Sequence, residues 1–167
     1  MWNWLFRKRA AKTNQEVTEK QYLPGTKLSY DENLISKLIN DHKEMLVIYT
    51  SCAQAYEKKD YPKLNQLLNQ LKSKLTSHLL RENVCFYLYV SHYYKEDEST
   101  RELINSFRRE MEEIGKVAFK FLTESSASDA VYYAEFKKNF DMIGSVLTNR
   151  IEEEESGLYM LYVPPPG

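Results

Sequence analysis

The pentapeptide His78-Leu79-Leu80-Arg81-Glu82, inside the run LKSKLTSHLLRENVCFYLYV (residues 71–90), is the stretch on which the predicted fold depends. His78 and Glu82 are four residues apart, so a helix places them on one face, one turn apart. That face is otherwise apolar, with these residues before and after the pair: Leu67, Leu71, Leu75, Cys85 or Phe86, and Tyr89. A helix buries such a face against its neighbours, and burying two such groups without partners costs several kcal/mol. Polar partners are therefore expected on other helices.

The composition favours one helical domain. The chain has 167 residues, five glycines and five prolines, and no β-type alternation persists, which predicts an all-α fold with a real core. Residues 1–30 carry six Lys/Arg against two Glu, and the remainder carries 17 against 22, so a net charge of −1 divides into +4 and −5. No run approaches the roughly 18 apolar residues of a membrane span, and there is no signal-peptide segment. These observations predict a cytoplasmic protein.

The two cysteines, Cys52 and Cys85, do not have CxxC spacing, and both fall on apolar stripes. This pattern favours buried free thiols in a reducing compartment over a disulfide or a metal ligand.

Residues 1–30 are predicted to form an N-terminal tail and a linker. Residues 2–12 combine four apolar side chains, two of them tryptophan, with four cations, which suits weak contact with a membrane surface. A disordered basic tail is the favoured alternative. Residues 13–30 are polar and are interrupted by Leu23-Pro24-Gly25, which indicates a linker over the surface.

Four amphipathic helices are predicted within residues 31–162, before a Pro-rich tail at 163–167. Besides the second helix described above, the inward positions of the first are Leu34, Leu38, His42, Met45, Tyr49, Cys52 and Tyr56. Those of the third are Leu103, Phe107, Met111, Ile114, Ala118 and Phe121. Those of the fourth are Phe136, Phe140, Ile143, Leu147, Arg150, Glu154, Leu158 and Leu161. Short loops, the third at residues 124–128, predict an up-down-up-down antiparallel four-helix bundle.

Counting residues from the predicted turns places His42, His78, Glu82 and Met111 in one layer near the middle of the bundle. Arg150 lies further from the third loop than this count requires, so the fourth helix either overhangs the bundle or begins irregularly. Two histidines and two carboxylates, the second from Glu154, can bind iron, manganese or zinc. The alternative is a metal-free cluster in which Arg150 neutralises both carboxylates.

Four segments resemble the helices of a hemerythrin-like (HHE cation-binding) domain, over about residues 28–162. They are Asp41-His42-Lys43-Glu44-Met45-Leu46, His78–Glu82, Arg109–Ile114 and Arg150–Tyr159. The resemblance implies a four-helix bundle with a non-haem di-iron centre. His42, His78, Glu82 and Glu154 match the family's ligands, and the two carboxylates match the bridging positions.

The sequence departs from that family pattern at two positions. Met111 stands where the third helix normally supplies a His, and Arg150 stands where the fourth normally supplies its first ligand. The resemblance therefore implies a half-retained site with one metal, in which the Arg150 guanidinium replaces part of the charge of the second metal.

A site with one metal does not suit an oxygen carrier. The resemblance implies a sensory or regulatory metal-binding protein, with iron as the first choice. No nucleophile–base arrangement, phosphate-binding Gly loop or basic helix is present, so neither an enzyme nor a nucleic-acid partner is expected. The alternative is a metal-free regulator that binds a protein partner. Residues 61–65 before His78, and Ile143-Gly144 before Arg150, resemble the regulator-of-sigma-D anti-sigma proteins, which act in that way.

Overall fold

The computed structural model describes residues 20–166. Helix α1 spans Leu34–Glu57. Helix α2 begins as an α-helix at Tyr61–Arg81, continues through a π-helical turn at Glu82–Tyr87, and ends as an α-helix at Leu88–Tyr93. Helix α3 spans Glu98–Ser125, and α4 spans Ala134–Ser156 before a 3₁₀ turn at Leu158–Leu161. No helix within the described range is long and apolar enough to cross a membrane. The expected membrane contact of residues 2–12 lies outside that range.

The four helices form an antiparallel bundle, as the composition of two apolar clusters shows. One cluster joins the second half of α1 with the first half of α2, the end of α3 and the start of α4. The other joins the start of α1 with the end of α2, Ile104 near the start of α3, and the 3₁₀ turn after α4. Each helix therefore runs opposite to its sequence neighbour, which confirms the predicted architecture.

The turns are fixed by side chains that cap the helices. Asp60 accepts a hydrogen bond from the backbone N–H of Lys63 at 3.2 Å, and Pro62 occupies the first turn of α2. Asp97 accepts from the backbone N–H of Thr100 at 3.1 Å at the start of α3. Part of the predicted linker also packs on the bundle, because Leu23 is buried in the second apolar cluster.

The third loop is longer than predicted, and this resolves the position of Arg150. Residues 126–133 are non-helical, and α4 begins only at Ala134. The Tyr132 hydroxyl donates to the Ser125 carbonyl at 2.9 Å and accepts from Asn65 at 3.1 Å, which ties the loop to α2. Arg150 thus lies nearly as far along α4 as His78 lies along α2. Residues 129–133, which follow the predicted loop, are non-helical, so an irregular beginning rather than an overhang accounts for the position of Arg150.

The prediction that Cys85 is buried was wrong, and α2 contains a π-helical turn at this point. An extra residue in one turn rotates the following side chains by about 100° relative to a continuous α-helix. In and after this turn Phe86 and Tyr87 are both buried, whereas Cys85 is exposed. In α3 the prediction that Leu103 points inward was also wrong, because Leu103 is 48% exposed and its neighbour Ile104 is fully buried.

The two thiols should therefore differ sharply in reactivity. Burial raises the pKa of Cys52 to about 12, so it carries almost no thiolate at neutral pH, while Cys85 is open to solvent. We expect a thiol-specific chromogenic reagent to modify one cysteine in the native protein and both after denaturation. The native signal should vanish in Cys85→Ser. Rapid modification of that variant at Cys52 would contradict the assigned burial.

Candidate metal centre

A buried polar layer crosses the bundle between the two apolar clusters. It contains these nearly inaccessible ionisable side chains: Asp41, His42, His78, Glu82, Arg150 and Glu154. Burying charged groups without partners is strongly unfavourable, so the contacts within the layer determine its stability and its chemistry.

The two imidazoles bring the same ring atom into the layer. The Nε2 atoms of His42 and His78 lie 3.2 Å apart. Both rings place Nδ1 towards a carboxylate: Glu155 Oε1 lies 2.8 Å from His42 Nδ1, and Asp41 Oδ2 lies 3.7 Å from His78 Nδ1. A carboxylate beside Nδ1 favours the tautomer with its hydrogen on that atom. The Nε2 lone pairs of both rings are then directed into the layer.

Glu154 completes a group of three potential ligands. Its Oε2 lies 3.3 Å from His42 Nε2, and ligand atoms of His42, His78 and Glu154 all lie within 4.8 Å of one another. Two atoms that each bind one metal at about 2.1 Å, at tetrahedral or octahedral angles, are roughly 3.0–3.4 Å apart. The separations of 3.2 and 3.3 Å fall in that range. Two of the three separations in this group therefore suit ligands that share a metal ion, and the third is no longer than 4.8 Å.

The surroundings of His42 favour a positive charge at its Nε2. Burial disfavours the charged ring, but hydrogen bonds with Glu154 and Glu155 outweigh burial and raise the pKa of His42. Burial, together with the neighbouring His42, lowers the pKa of His78 to about 4. Although burial also opposes ionisation of Glu154, hydrogen bonds from His42 and Arg150 lower the pKa of that carboxyl. A proton or a metal cation is stabilised by the same arrangement.

Glu82 lies beside this group of three rather than within it. Tyr159 donates its hydroxyl hydrogen to Glu82 Oε1 at 3.1 Å, and the same hydroxyl lies 3.4 Å from Glu154 Oε2. Burial and the charge of Glu154 raise the pKa of Glu82 to about 8. A protonated Glu82 needs no cationic partner, and among the described contacts Arg150 does not pair with it. The two carboxylates, which the sequence predicts to be equivalent, therefore have different partners in the structure.

Arg150 lies next to Glu154 and has its own set of acceptors. Its Nε donates to Glu154 Oε1 at 2.6 Å, and one terminal nitrogen donates to the Tyr87 hydroxyl at 3.1 Å and to the Phe107 carbonyl at 2.9 Å. The guanidinium carbon lies 4.5 Å from the centre of the Phe107 ring, a favourable cation–π distance. The other terminal nitrogen lies 3.6 Å from the exposed Glu110 carboxylate. Arg150 thus places a fixed positive charge in the layer.

Met111 borders a small cavity that reaches the imidazoles. The cavity has a volume of about 50 Å³, and its lining includes Met111, His42, His78 and Arg150 together with apolar side chains. A cavity of this size holds a few small atoms but no larger ligand. Gly144 also lines the cavity. The Tyr49 ring packs so close to Gly144 that a Cβ there would overlap it.

The sequence pattern does not identify the residues that surround the candidate ligands. Asp41 and Glu155 lie next to His42 and Glu154 in the chain, and on a helical pattern they resemble solvent-facing charges. Tyr159 lies beyond the end of α4, in the 3₁₀ turn, where the helical period no longer applies. Asp41 and Glu155 could have been identified only because each is adjacent in the chain to a candidate ligand.

Comparison with protein families agrees with this geometry. The sequence model of the family described as the hemerythrin HHE cation-binding domain matches residues 33–162 of this chain. The chain belongs to this family. No curated protein and no solved structure matches it. The matched range of this HHE domain holds all six residues of the polar layer, and Met111 as well.

Removing the Arg150 side chain should strongly destabilise the HHE domain. Arg150→Ala leaves Glu154 without its 2.6 Å partner and the Phe107 carbonyl without its donor. We expect the free energy of unfolding, measured by urea denaturation, to fall by about 3–5 kcal/mol. Arg101→Ala is the matched control, because Arg101 forms an exposed ion pair at 3.9 Å and its loss should cost less than about 1 kcal/mol. Equal effects of the two changes would contradict the buried role of Arg150.

Proposed function

We propose that this HHE protein binds one transition-metal ion through His42, His78 and Glu154, and that iron is its physiological metal. The observation that supports the proposal is the convergence of two Nε2 atoms and one carboxylate oxygen at metal-ligand spacing. Two histidines and one carboxylate form a common donor set for non-haem Fe(II). With only these three protein ligands, an iron ion held here would keep coordination positions open for a small molecule.

We further propose that only one metal is bound because Arg150 occupies the second position. Its guanidinium already satisfies Glu154 and lies over Phe107, so a second cation there would meet a fixed positive charge. Met111 offers a thioether where a hard ion prefers nitrogen or oxygen. Glu82, held by Tyr159, stays available as a further oxygen donor to the first metal.

A sensory or regulatory role, rather than catalysis, is the function we assign to this metal. The cavity beside the two imidazoles has room for a diatomic molecule and not for an organic substrate. We place the protein in the cytoplasm, because both cysteines are free thiols.

The metal content of the purified protein tests the proposal. Protein prepared without chelator should contain close to one iron per chain by elemental analysis, and His78→Ala should lose it. His92→Ala is the matched control, since the third histidine lies near the end of α2 and outside the polar layer. Protein that contains no metal, and takes up neither iron, manganese nor zinc when these are added, would refute the proposal.

A double substitution tests the number of metals. Arg150→His alone should still bind at most one metal per chain, because Met111 still supplies no imidazole from α3. Met111→His combined with Arg150→His supplies two further imidazoles and should raise the metal content towards two. Metal per chain, measured after loading with excess ferrous iron, distinguishes these outcomes. Two metals in the parent protein would show that Arg150 does not occupy a metal position.

A second candidate is a metal-free regulator that binds a protein partner. It is favoured by two contacts in the layer that need no metal: Arg150 pairs with Glu154, and Tyr159 with Glu82. Thermal unfolding separates the two functions, since an ion that binds only the folded state raises the melting temperature. A melting temperature unaffected by both iron and chelator would favour this second candidate.

A further inference from the structure

The contacts behind His78 involve a carboxylate that the proposed metal site does not use. Asp41 precedes His42 on α1, yet its side chain is only 6% exposed and faces α2. Its Oδ1 forms an ion pair with Lys74 at 2.7 Å, and its Oδ2 forms one with Arg81. The same Oδ2 lies 3.7 Å from His78 Nδ1.

The Nδ1 atom of His78 is buried and has no hydrogen-bond partner among the described residues. A polar atom left unpaired in a bundle interior is unfavourable, and native structures rarely contain one. The charged group in front of this atom is Asp41. An N–H on Nδ1 directed at this anion is electrostatically favourable, whereas a lone pair there would be repelled by it. At 3.7 Å the contact is electrostatic and longer than a hydrogen bond.

His42 has the same arrangement with a shorter distance. Its Nδ1 lies 2.8 Å from Glu155, and its Nε2 faces the layer. A carboxylate behind a metal-binding imidazole fixes the tautomer and increases the basicity of the ligating nitrogen. Each of the two imidazoles therefore has a carboxylate beside its Nδ1 atom. Asp41 precedes His42 in the chain, and Glu155 follows Glu154.

Asp41 differs from Glu155 in being held by two cations. Lys74 lies four residues before His78 and Arg81 three residues after it, so all three occupy one face of α2. The carboxylate from α1 is thereby fixed against the helix that carries the imidazole.

We infer that Asp41 is a positioning residue for His78. It holds the imidazole hydrogen on Nδ1 and leaves Nε2 free for the metal, while Lys74 and Arg81 keep the carboxylate in place. Asp41 does not itself bind the metal. The inference rests on the proposed metal-binding function.

The test compares Asp41→Asn with Glu44→Gln in the full-length chain. Glu44 also pairs with Lys74, at 2.5 Å, but it is 51% exposed and has no contact with His78, so it controls for loss of a lysine partner. Zinc affinity, measured by competition with a chromogenic chelator, should fall about 10–100-fold in Asp41→Asn. It should fall far less in Glu44→Gln. An unchanged zinc affinity in Asp41→Asn would mean that Asp41 only forms structural ion pairs, and it would overturn the inference.

A second readout does not depend on how well the variant folds. Long-range ¹H–¹⁵N spectra of the metal-free wild-type protein, labelled at histidine nitrogens, report the tautomer of His78 directly. We expect hydrogen on Nδ1, retained in Glu44→Gln. Hydrogen on Nε2 in the wild type would overturn the inference whatever the metal affinity. Hydrogen on Nδ1 in a wild-type protein that binds no zinc would refute the metal site but support the positioning contact.

Discussion

The 3.2 Å separation of the His42 and His78 Nε2 atoms is the constraint around which the bundle is arranged. Two lone pairs at that distance repel each other, so the contact needs either a hydrogen on one of the nitrogens or a cation between them. A positive charge inside a bundle requires an anion beside it. Glu154 supplies that anion from a third helix. The approach requires α1 and α2 to be antiparallel with their histidines level, and the tight Lys58–Asp60 turn between them achieves this. His42 lies nearly as far before the end of α1 as His78 lies after the start of α2.

The layer divides into two halves with different electrostatics. On the histidine side, carboxylates lie behind both imidazoles and the two Nε2 atoms face one another. On the arginine side, a permanent cation is already enclosed by a carboxylate, a carbonyl, a hydroxyl and an aromatic ring. Glu154 belongs to both halves, because one of its oxygens faces His42 and the other accepts from Arg150. The charge that stabilises Glu154 is therefore independent of any metal, so the bundle can fold before metal is bound.

Much of this arrangement could be predicted from the sequence because it follows from helical periodicity. The apolar stripes of four helices, and the ionisable residues upon them, identify both the bundle and the buried layer. The start of α4 could not be predicted, because it depends on bonds from Tyr132 to the end of α3 and to α2 rather than on local propensity. Asp41 and Glu155 could not be distinguished from solvated charges by pattern alone, since their partners lie on other helices. Nor does an amphipathic pattern reveal a π-helical turn, and this is why the sequence predicts a buried Cys85 that the structure exposes.

That π-helical turn connects the backbone to the chemistry of the layer. It begins at Glu82 and contains Phe86 and Tyr87, which are both buried. Phe86 packs its ring edge-on to Tyr159, whose hydroxyl holds Glu82, and the Tyr87 hydroxyl accepts from Arg150. Both side chains that make these contacts therefore belong to the π-helical turn. The arginine half of the layer thus depends on the backbone of α2 as well as on the side chains at positions 111 and 150.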